Sequence, residues 1–154
     1  FQFFILMILI FMEEKMKVSI VYASTTGNTE QMANVICEAL KDAGAETAMV
    51  TADAADAAEV LASDVILLGS PAMGDEVLED SMENFFAAIE GSLSGKKLGL
   101  FGSYDWGDGQ WMRDWEDRAK AAGATLVADG LIAHLAPEAD DLENCRNLAA
   151  AALK

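Results

Sequence analysis

Apolar and polar positions along this chain alternate between two rhythms. Lys17 to Ala23 (KVSIVYA) is a short β-branched run that stops at a cluster of hydroxyl and glycine residues, which predicts a buried strand feeding a polar loop. Met32, Val35, Ile36, Ala39 and Leu40 then recur at the spacing that lines one face of a helix, with Gly44 as its stop. Glu46 to Thr51 predicts a second, weaker strand and Ala54 to Ala62 an alanine-rich helix. Asp64 to Gly69 (DVILLG) is nearly continuous in apolar residues, as in a parallel strand covered on both faces. Glu79 to Leu93 returns to helical spacing through Met82, Phe85, Phe86 and Ile89, and Leu98 to Gly102 reads as the fourth strand. Trp111, Trp115, Ala119 and Ala122 trace a helix ended by Gly123. Thr125 to Leu135 holds a fifth strand, interrupted near Asp129 and Gly130, and Ala139 to Leu153 a closing helix after Pro137. Strands alternating with helices require right-handed crossovers and helices on both faces of one parallel sheet, an α/β architecture whose ligands sit at the C-terminal ends of the strands.

The first twelve residues follow neither rhythm. Phe1 to Met12 (FQFFILMILIFM) carries no charge and is followed at once by Glu13, Glu14 and Lys15. The run is short for a bilayer span, and it has neither the cationic start nor the small-residue cleavage site of a secretory signal. Met12 and Met16 both stand just before the first strand, so residues 1–15 are read as an apolar N-terminal extension from an over-extended gene start, and 16–154 as the functional domain. A membrane anchor at residues 1–12 is the alternative.

Composition narrows the classes. With 154 residues, 53% hydrophobic and only 2 prolines, the chain fits one domain that needs no disulfide framework or structural metal. Asp and Glu outnumber Lys and Arg by 26 to 10, a net charge of -16, which argues against nucleic acid and against an anionic membrane surface. The same charge attracts basic proteins, unless it only keeps the chain soluble. Cys37 and Cys145 are far apart with no CxxC or Cys/His cluster, and are expected as free thiols in a reducing cytoplasm.

Chemistry is left to the loops after strands one, three and four. The first, Ser24-Thr25-Thr26-Gly27-Asn28-Thr29, joins a strand end to a helix start, where backbone N–H groups and the helix dipole hold a phosphate without Lys or Arg. It lacks the Walker A lysine, the G-x-G-x-x-G turn and a C-x5-R phosphatase loop; an ordinary Ser/Thr helix cap is the other reading. The second, Ser70 to Asp80 (SPAMGDEVLED), places Met73 outside any stripe, as a stray core residue or as a polarizable lid over a flat ring. Gly74 and Asp75 form either a plain turn or a hinge whose peptide flips at low cost. The third, Ser103 to Gly109 (SYDWGDG), sets Tyr104 and Trp106 among small and acidic residues, as walls of a stacking slot or as aromatics folded back on the next helix.

The stretches VYASTTGNTEQMA, GSPAMGDEVLED and LFGSYDWGDGQWMRDWEDR together resemble the short-chain flavodoxins of clostridial type, in the family's order and spacing from Met16 to the C-terminus. The segment from Gly123 to Pro137 leaves no room for the insertion of long-chain members. The resemblance implies a flavodoxin-like three-layer αβα sandwich with a five-stranded parallel sheet in the order 2-1-3-4-5, one bound FMN, and a cytoplasmic, monomeric one-electron carrier. It implies that Ser24, Thr25, Thr26, Gly27, Asn28 and Thr29 wrap the phosphate, and that Met73 and Trp106 sandwich the isoalloxazine ring, with Tyr104 beside it. Gly74 would turn its carbonyl toward the N5 proton of the semiquinone, Glu76 would accept a hydrogen bond from N3, and Gly107 and Asp108 would meet the pyrimidine edge. Pro71, Ala72, Asp75, Ser103 and Asp105 complete the two ring-binding loops. Ala23 stands where relatives carry Trp, and Thr25 and Asp105 where they carry Gly.

Six acids, Asp75, Glu76, Glu79, Asp80, Asp105 and Asp108, lie in the loops expected around the ring. Each costs a reduced anion roughly 0.8 kcal/mol at about 10 Å and an effective dielectric near 40. The resemblance therefore implies a low-potential semiquinone/hydroquinone couple that serves basic redox proteins docking on an acidic flavin-edge face, without a catalytic base. An FMN-dependent NAD(P)H or quinone oxidoreductase of the same fold is the alternative. His134 reads as a solvated or packing residue away from the three loops, Lys96 and Lys97 as caps at a strand start, and Arg113 and Arg118 as helix residues among acids without a role.

Overall fold

The computed structural model describes residues 2–13 and 15–154. Elements run α1 (Gln2–Glu13), β1 (Lys17–Tyr22), α2 (Asn28–Asp42), β2 (Glu46–Thr51), α3 (Ala57–Leu61), β3 (Val65–Gly69), α4 (Asp80–Glu90), β4 (Lys97–Tyr104), α5 (Gln110–Ala121), β5 (Thr125–Leu126), β6 (Leu131–His134) and α6 (Ala139–Ala152). All strand pairings among these elements are parallel, in the order β2-β1-β3-β4-β5, with β6 also on β4. The α/β sandwich is the one expected, with one difference: the fifth strand is two short strands, so the sheet has six. Glu116 on α5 accepts the Gly130 N–H at 3.0 Å, and a Cβ on Gly130 would lie 2.5 Å from Met112, so the chain bends toward α5 between the two segments.

Two cores flank the sheet. On one face Met32, Ile36 and Leu40 of α2 meet Cys145, Leu148 and Ala149 of α6 over Ile20, Leu67 and Phe101. On the other, Phe86, Ile89, Trp111 and Trp115 of α4 and α5 cover Ile66, Leu68 and Leu100. Every residue of β3 is buried, as its unbroken apolar run requires. The helix predicted at Ala54 to Ala62 is shorter, because the Asp56 carboxylate accepts the Ala58 N–H at 2.9 Å and starts α3 there.

Close approach of β3 and β4 at their C-terminal ends depends on glycine. A Cβ on Gly102 would lie 1.9 Å from the Ser70 carbonyl oxygen, and one on Gly69 would lie 2.3 Å from the Phe101 ring. Helix α1 is apolar, and its side chains from Phe3 to Met7 are exposed. Of the extension predicted at 1–15, Phe1 and Glu14 lie outside the described residues, and no described helix is long and apolar enough to cross a membrane.

Candidate flavin-binding site

The loop after β1 reaches α2 through Gly27, whose φ of 92° is left-handed and therefore favours glycine. This loop is not a side-chain cap of the usual Ser/Thr kind: Gly27 occupies the cap position, and Ser24 Oγ accepts from the Gly27 N–H at 3.2 Å and the Glu30 N–H at 3.3 Å. Among the described residues, the N–H groups of Thr25, Thr26, Asn28 and Thr29 have no protein acceptor. A cluster of free donors at the positive end of a 15-residue helix can accommodate an anion. Thr29 contributes through its backbone, since its side chain is buried and its hydroxyl pairs with Ser103 Oγ at 3.1 Å while accepting the Ser103 N–H at 3.3 Å.

The loop after β3 is a small hairpin. Ala72 bridges Leu78, the Glu76 N–H donates to the Met73 carbonyl at 2.8 Å, and the Met73 N–H to the Val77 carbonyl at 2.9 Å. Gly74 and Asp75 lie outside the left-handed region, and Glu76, with φ 52°, lies in it. This is a turn of the first type followed by a left-handed bulge residue, a position that glycine usually takes. Glu76 is held there from outside: its Oε1 accepts the Gln110 N–H at 3.1 Å, at the start of α5, and a Cβ on Gly107 would lie 2.4 Å from that oxygen. The Glu76 carboxylate thus ties the second loop to the third.

The third loop begins later than the sequence predicts. Ser103 and Tyr104 belong to β4, which runs two residues beyond Gly102, and Tyr104 packs at 5.6 Å from Trp111. Trp106 follows in the loop proper with 60% of its surface exposed, and Met73 across from it is 36% exposed. A cleft of about 310 Å³ lies between them, lined by Thr25, Thr26, Asn28, Pro71, Ala72, Met73, Gly74, Ser103, Tyr104, Asp105, Trp106 and Leu135. Asp108 does not point its charge alone into solvent: Arg113 Nη2 pairs with its carboxylate at 2.7 Å and Nη1 with its carbonyl at 3.1 Å.

Two residues of this neighbourhood escaped the sequence reading. His134 is not away from the loops. The β4–β6 register sets it beside Tyr104, with ring centroids 5.0 Å apart, and its Nε2 lies 2.8 Å from the Asp105 carbonyl. Leu135, with φ 62°, donates its N–H to the Tyr104 carbonyl at 2.8 Å and lines the cleft. The signal was the length of the fifth strand: counted from Thr125 without its break, its end falls at the same sheet edge as the three loops.

Arg118, assigned no role from sequence, bridges α4 and α5 through Glu83 at 2.8 Å and Glu90 at 3.2 Å and lies 4.9 Å over the Phe86 ring. Hydrogen bonding to Glu83 comes first among the causes that hold its guanidinium above the ordinary value, against the opposing cost of burial. Lys96 and Lys97 do cap carbonyls, those of Leu61 and Lys154. Cys37 and Cys145 are free and buried, and burial pushes the Cys145 thiol up to about 12.

An open α/β sheet with a cleft at the C-terminal ends of its strands, lined by a loop with unpaired N–H groups and by an exposed thioether and indole, is the architecture of a nucleotide- or cofactor-binding protein. Sequence comparison is more specific. The flavodoxin profile matches residues 20–148, and the chain belongs to the flavodoxin family, whose members bind FMN and carry electrons rather than act as enzymes. It is 47% identical to the flavodoxin of Megasphaera elsdenii over 138 residues, covering 89% of this chain and 98% of that one. It is 45% identical to the flavodoxin of Clostridium beijerinckii over 120 residues, covering 77% and 87%. The solution structure of two-electron reduced Megasphaera elsdenii flavodoxin superposes with a TM-score of 0.78 at 48% identity, covering 88% of this chain and 97% of that one. The chain is accordingly a short-chain flavodoxin and an FMN-bound electron carrier, and a separate NAD(P)H or quinone oxidoreductase activity is not favoured.

Proposed function

We propose that the chain holds FMN with its phosphate on the loop from Ser24 to Thr29 and its ring between Met73 and Trp106, and works at low potential. The observation that carries this reading is the cleft itself, lined both by the loop with unpaired N–H groups and by two exposed apolar side chains, Met73 and Trp106. FMN, when bound, supplies the redox chemistry, since its ring takes up and releases electrons singly. The chain supplies orientation and field. Thr25, Thr26, Asn28 and Thr29 donate N–H groups to the phosphate, and Met73 and Trp106 exclude water from the two faces of the ring. Glu76 would accept a hydrogen bond from ring N3 while its Oε1 keeps the bond to the Gln110 N–H. Gly107 and Asp108 meet the pyrimidine edge through their backbones.

Gly74 is the residue whose carbonyl would turn to accept a hydrogen bond from the bound ring. Turning the 74–75 peptide alone changes ψ at Gly74 and φ at Asp75, so it carries Asp75 into the left-handed region beside Glu76. That costs about 1–2 kcal/mol at a non-glycine residue, which the new hydrogen bond offsets. Asp75, Glu76, Glu79, Asp80 and Asp105 leave the surroundings negative, a field that would oppose added negative charge on a bound ring. Basic redox proteins fit this acidic rim, where Trp106 and Val77 supply exposed apolar contact. Free buried thiols fit a cytoplasmic setting.

The test is titration of cofactor-free protein with FMN, followed by flavin fluorescence. Wild type binds one FMN, and Trp106→Ala binds it about 1–3 kcal/mol more weakly, if ring stacking matches that of bases on aromatic side chains. Equal affinity in the variant removes Trp106 from the site.

A further inference from the structure

The loop that carries Trp106 is the least self-supporting part of the site. It passes through two left-handed glycines, Gly107 and Gly109, and the indole is exposed. Contacts from other elements fasten both of its ends. At the far end Arg113 grips Asp108 through carboxylate and carbonyl. At the near end the last residue of β6 and the one after it bind the two carbonyls that precede Trp106: the Leu135 N–H donates to the Tyr104 carbonyl at 2.8 Å, and His134 Nε2 lies 2.8 Å from the carbonyl oxygen of Asp105. The imidazole is steadied by the Tyr104 ring, 5.0 Å away and tilted by 43°.

A carbonyl oxygen only accepts, so in this bond Nε2 carries the hydrogen and Nδ1 is the ring atom free to exchange a proton. The hydrogen bond therefore persists whether the imidazole is neutral or cationic, and only the charge beside the loop changes. We propose that His134 is the positioning residue for the Trp106 wall, and that a proton on its Nδ1 makes the bound FMN easier to reduce. This rests on the FMN site proposed above. The proton comes from solvent and returns to it; the electron still comes from the redox partner, and no bond to carbon forms or breaks. Other titratable groups on the surrounding elements include Tyr104 on β4, Asp105 and Asp108 in the loop, Arg113, Asp114, Glu116 and Asp117 on α5, and Glu138, Asp140, Asp141 and Glu143 at and after the start of α6. Most are acids. A charge gained on the imidazole would be positive, opposite in sign to these acids.

The experiment compares wild type, His134→Ala and His134→Asn. FMN dissociation constants are measured on the cofactor-free proteins, and midpoint potentials on the FMN-loaded proteins between about pH 5 and 8. His134→Ala is expected to bind FMN about tenfold more weakly, the size of one hydrogen bond to a neutral acceptor. His134→Asn, whose amide can still donate to the Asp105 carbonyl, is expected to recover most of that affinity. Both variants are expected to lose part of the rise in potential that wild type shows toward acid pH. Unchanged affinity in His134→Ala, or potentials that follow the wild-type curve at every pH in both variants, overturns the proposal. A wild type that binds no FMN overturns the site reading and this proposal with it, so the two failures are distinguishable. The side chain is exposed, and should His134→Ala fail to fold, the potentials of His134→Asn decide the matter alone.

Discussion

At Asp75 and Glu76 the proposed hinge turns on a single backbone angle. Glu76 is already left-handed, and turning the 74–75 peptide would make Asp75 left-handed as well. A β-branched residue resists that region more than Asp does. Asp75→Val is therefore expected to bring the two one-electron midpoints closer together, and Asp75→Gly to move them further apart, in a potentiometric titration; unchanged midpoints in both would remove the hinge. Gly74 has open space around its Cβ position, so Gly74→Ala is the milder change. Cys145 gives a second residue-scale prediction. Its folded-state thiol is raised from 9.0 to about 12, by burial first and by Asp141 second. Below pH 9 both folded and unfolded chains keep the proton; above it the unfolded chain releases its proton first, so stability is lost progressively between about pH 9 and 12. Cys145→Ala should lower stability at neutral pH through the cavity it leaves, and should flatten the alkaline decline in urea-unfolding midpoints.

Elements place these residues by where they start and stop. Strand β4 outruns its apolar stretch by Ser103 and Tyr104, because β6 pairs with that extension and Ser103 bonds to Thr29 across the sheet. None of these partners is near Ser103 in sequence, which is why the loop boundary was not legible while the loop itself was. The same holds for His134: a lone histidine at a strand end carries no local mark of its register, and the break at Val127 to Gly130 hides how far the strand extends. By contrast, it was legible that the Ser24–Thr29 loop, Met73 and Trp106 stand apart from the core, since their residue types fit neither periodicity, and the structure places Thr25, Thr26, Asn28, Met73 and Trp106 on one cleft. Helices α4 and α5 meet through Arg118, which joins Glu83 and Glu90 above the Phe86 ring. The cluster is partly solvent-screened, so Arg118→Met is expected to cost about 1 kcal/mol in denaturant unfolding and to leave FMN affinity unchanged. A variant that weakened FMN would show that this clamp reaches the cleft.

Across the whole molecule charge is sorted by pole. All seven lysines stand at the end remote from the cleft: Lys15 and Lys17 at the start of β1, Lys96 and Lys97 at the start of β4, and Lys41, Lys120 and Lys154 at the ends of α2, α5 and α6. The three arginines are each paired with an acid. The cleft pole thus holds acids and N–H dipoles but, among the described residues, no unpaired cation, and an anionic phosphate must be bound against the long-range field. A phosphate held by lysine or arginine loses affinity as salt screens the attraction, whereas one held by short-range N–H donors in a negative field does not. The most direct test compares FMN with riboflavin on cofactor-free protein from about 0.01 to 1 M salt. The account predicts that FMN binds at least about tenfold more tightly than riboflavin, as charge-assisted hydrogen bonds to several N–H groups require, and that its affinity holds or rises with salt. Riboflavin binding as tightly as FMN, or FMN affinity that falls steadily with salt, would contradict it.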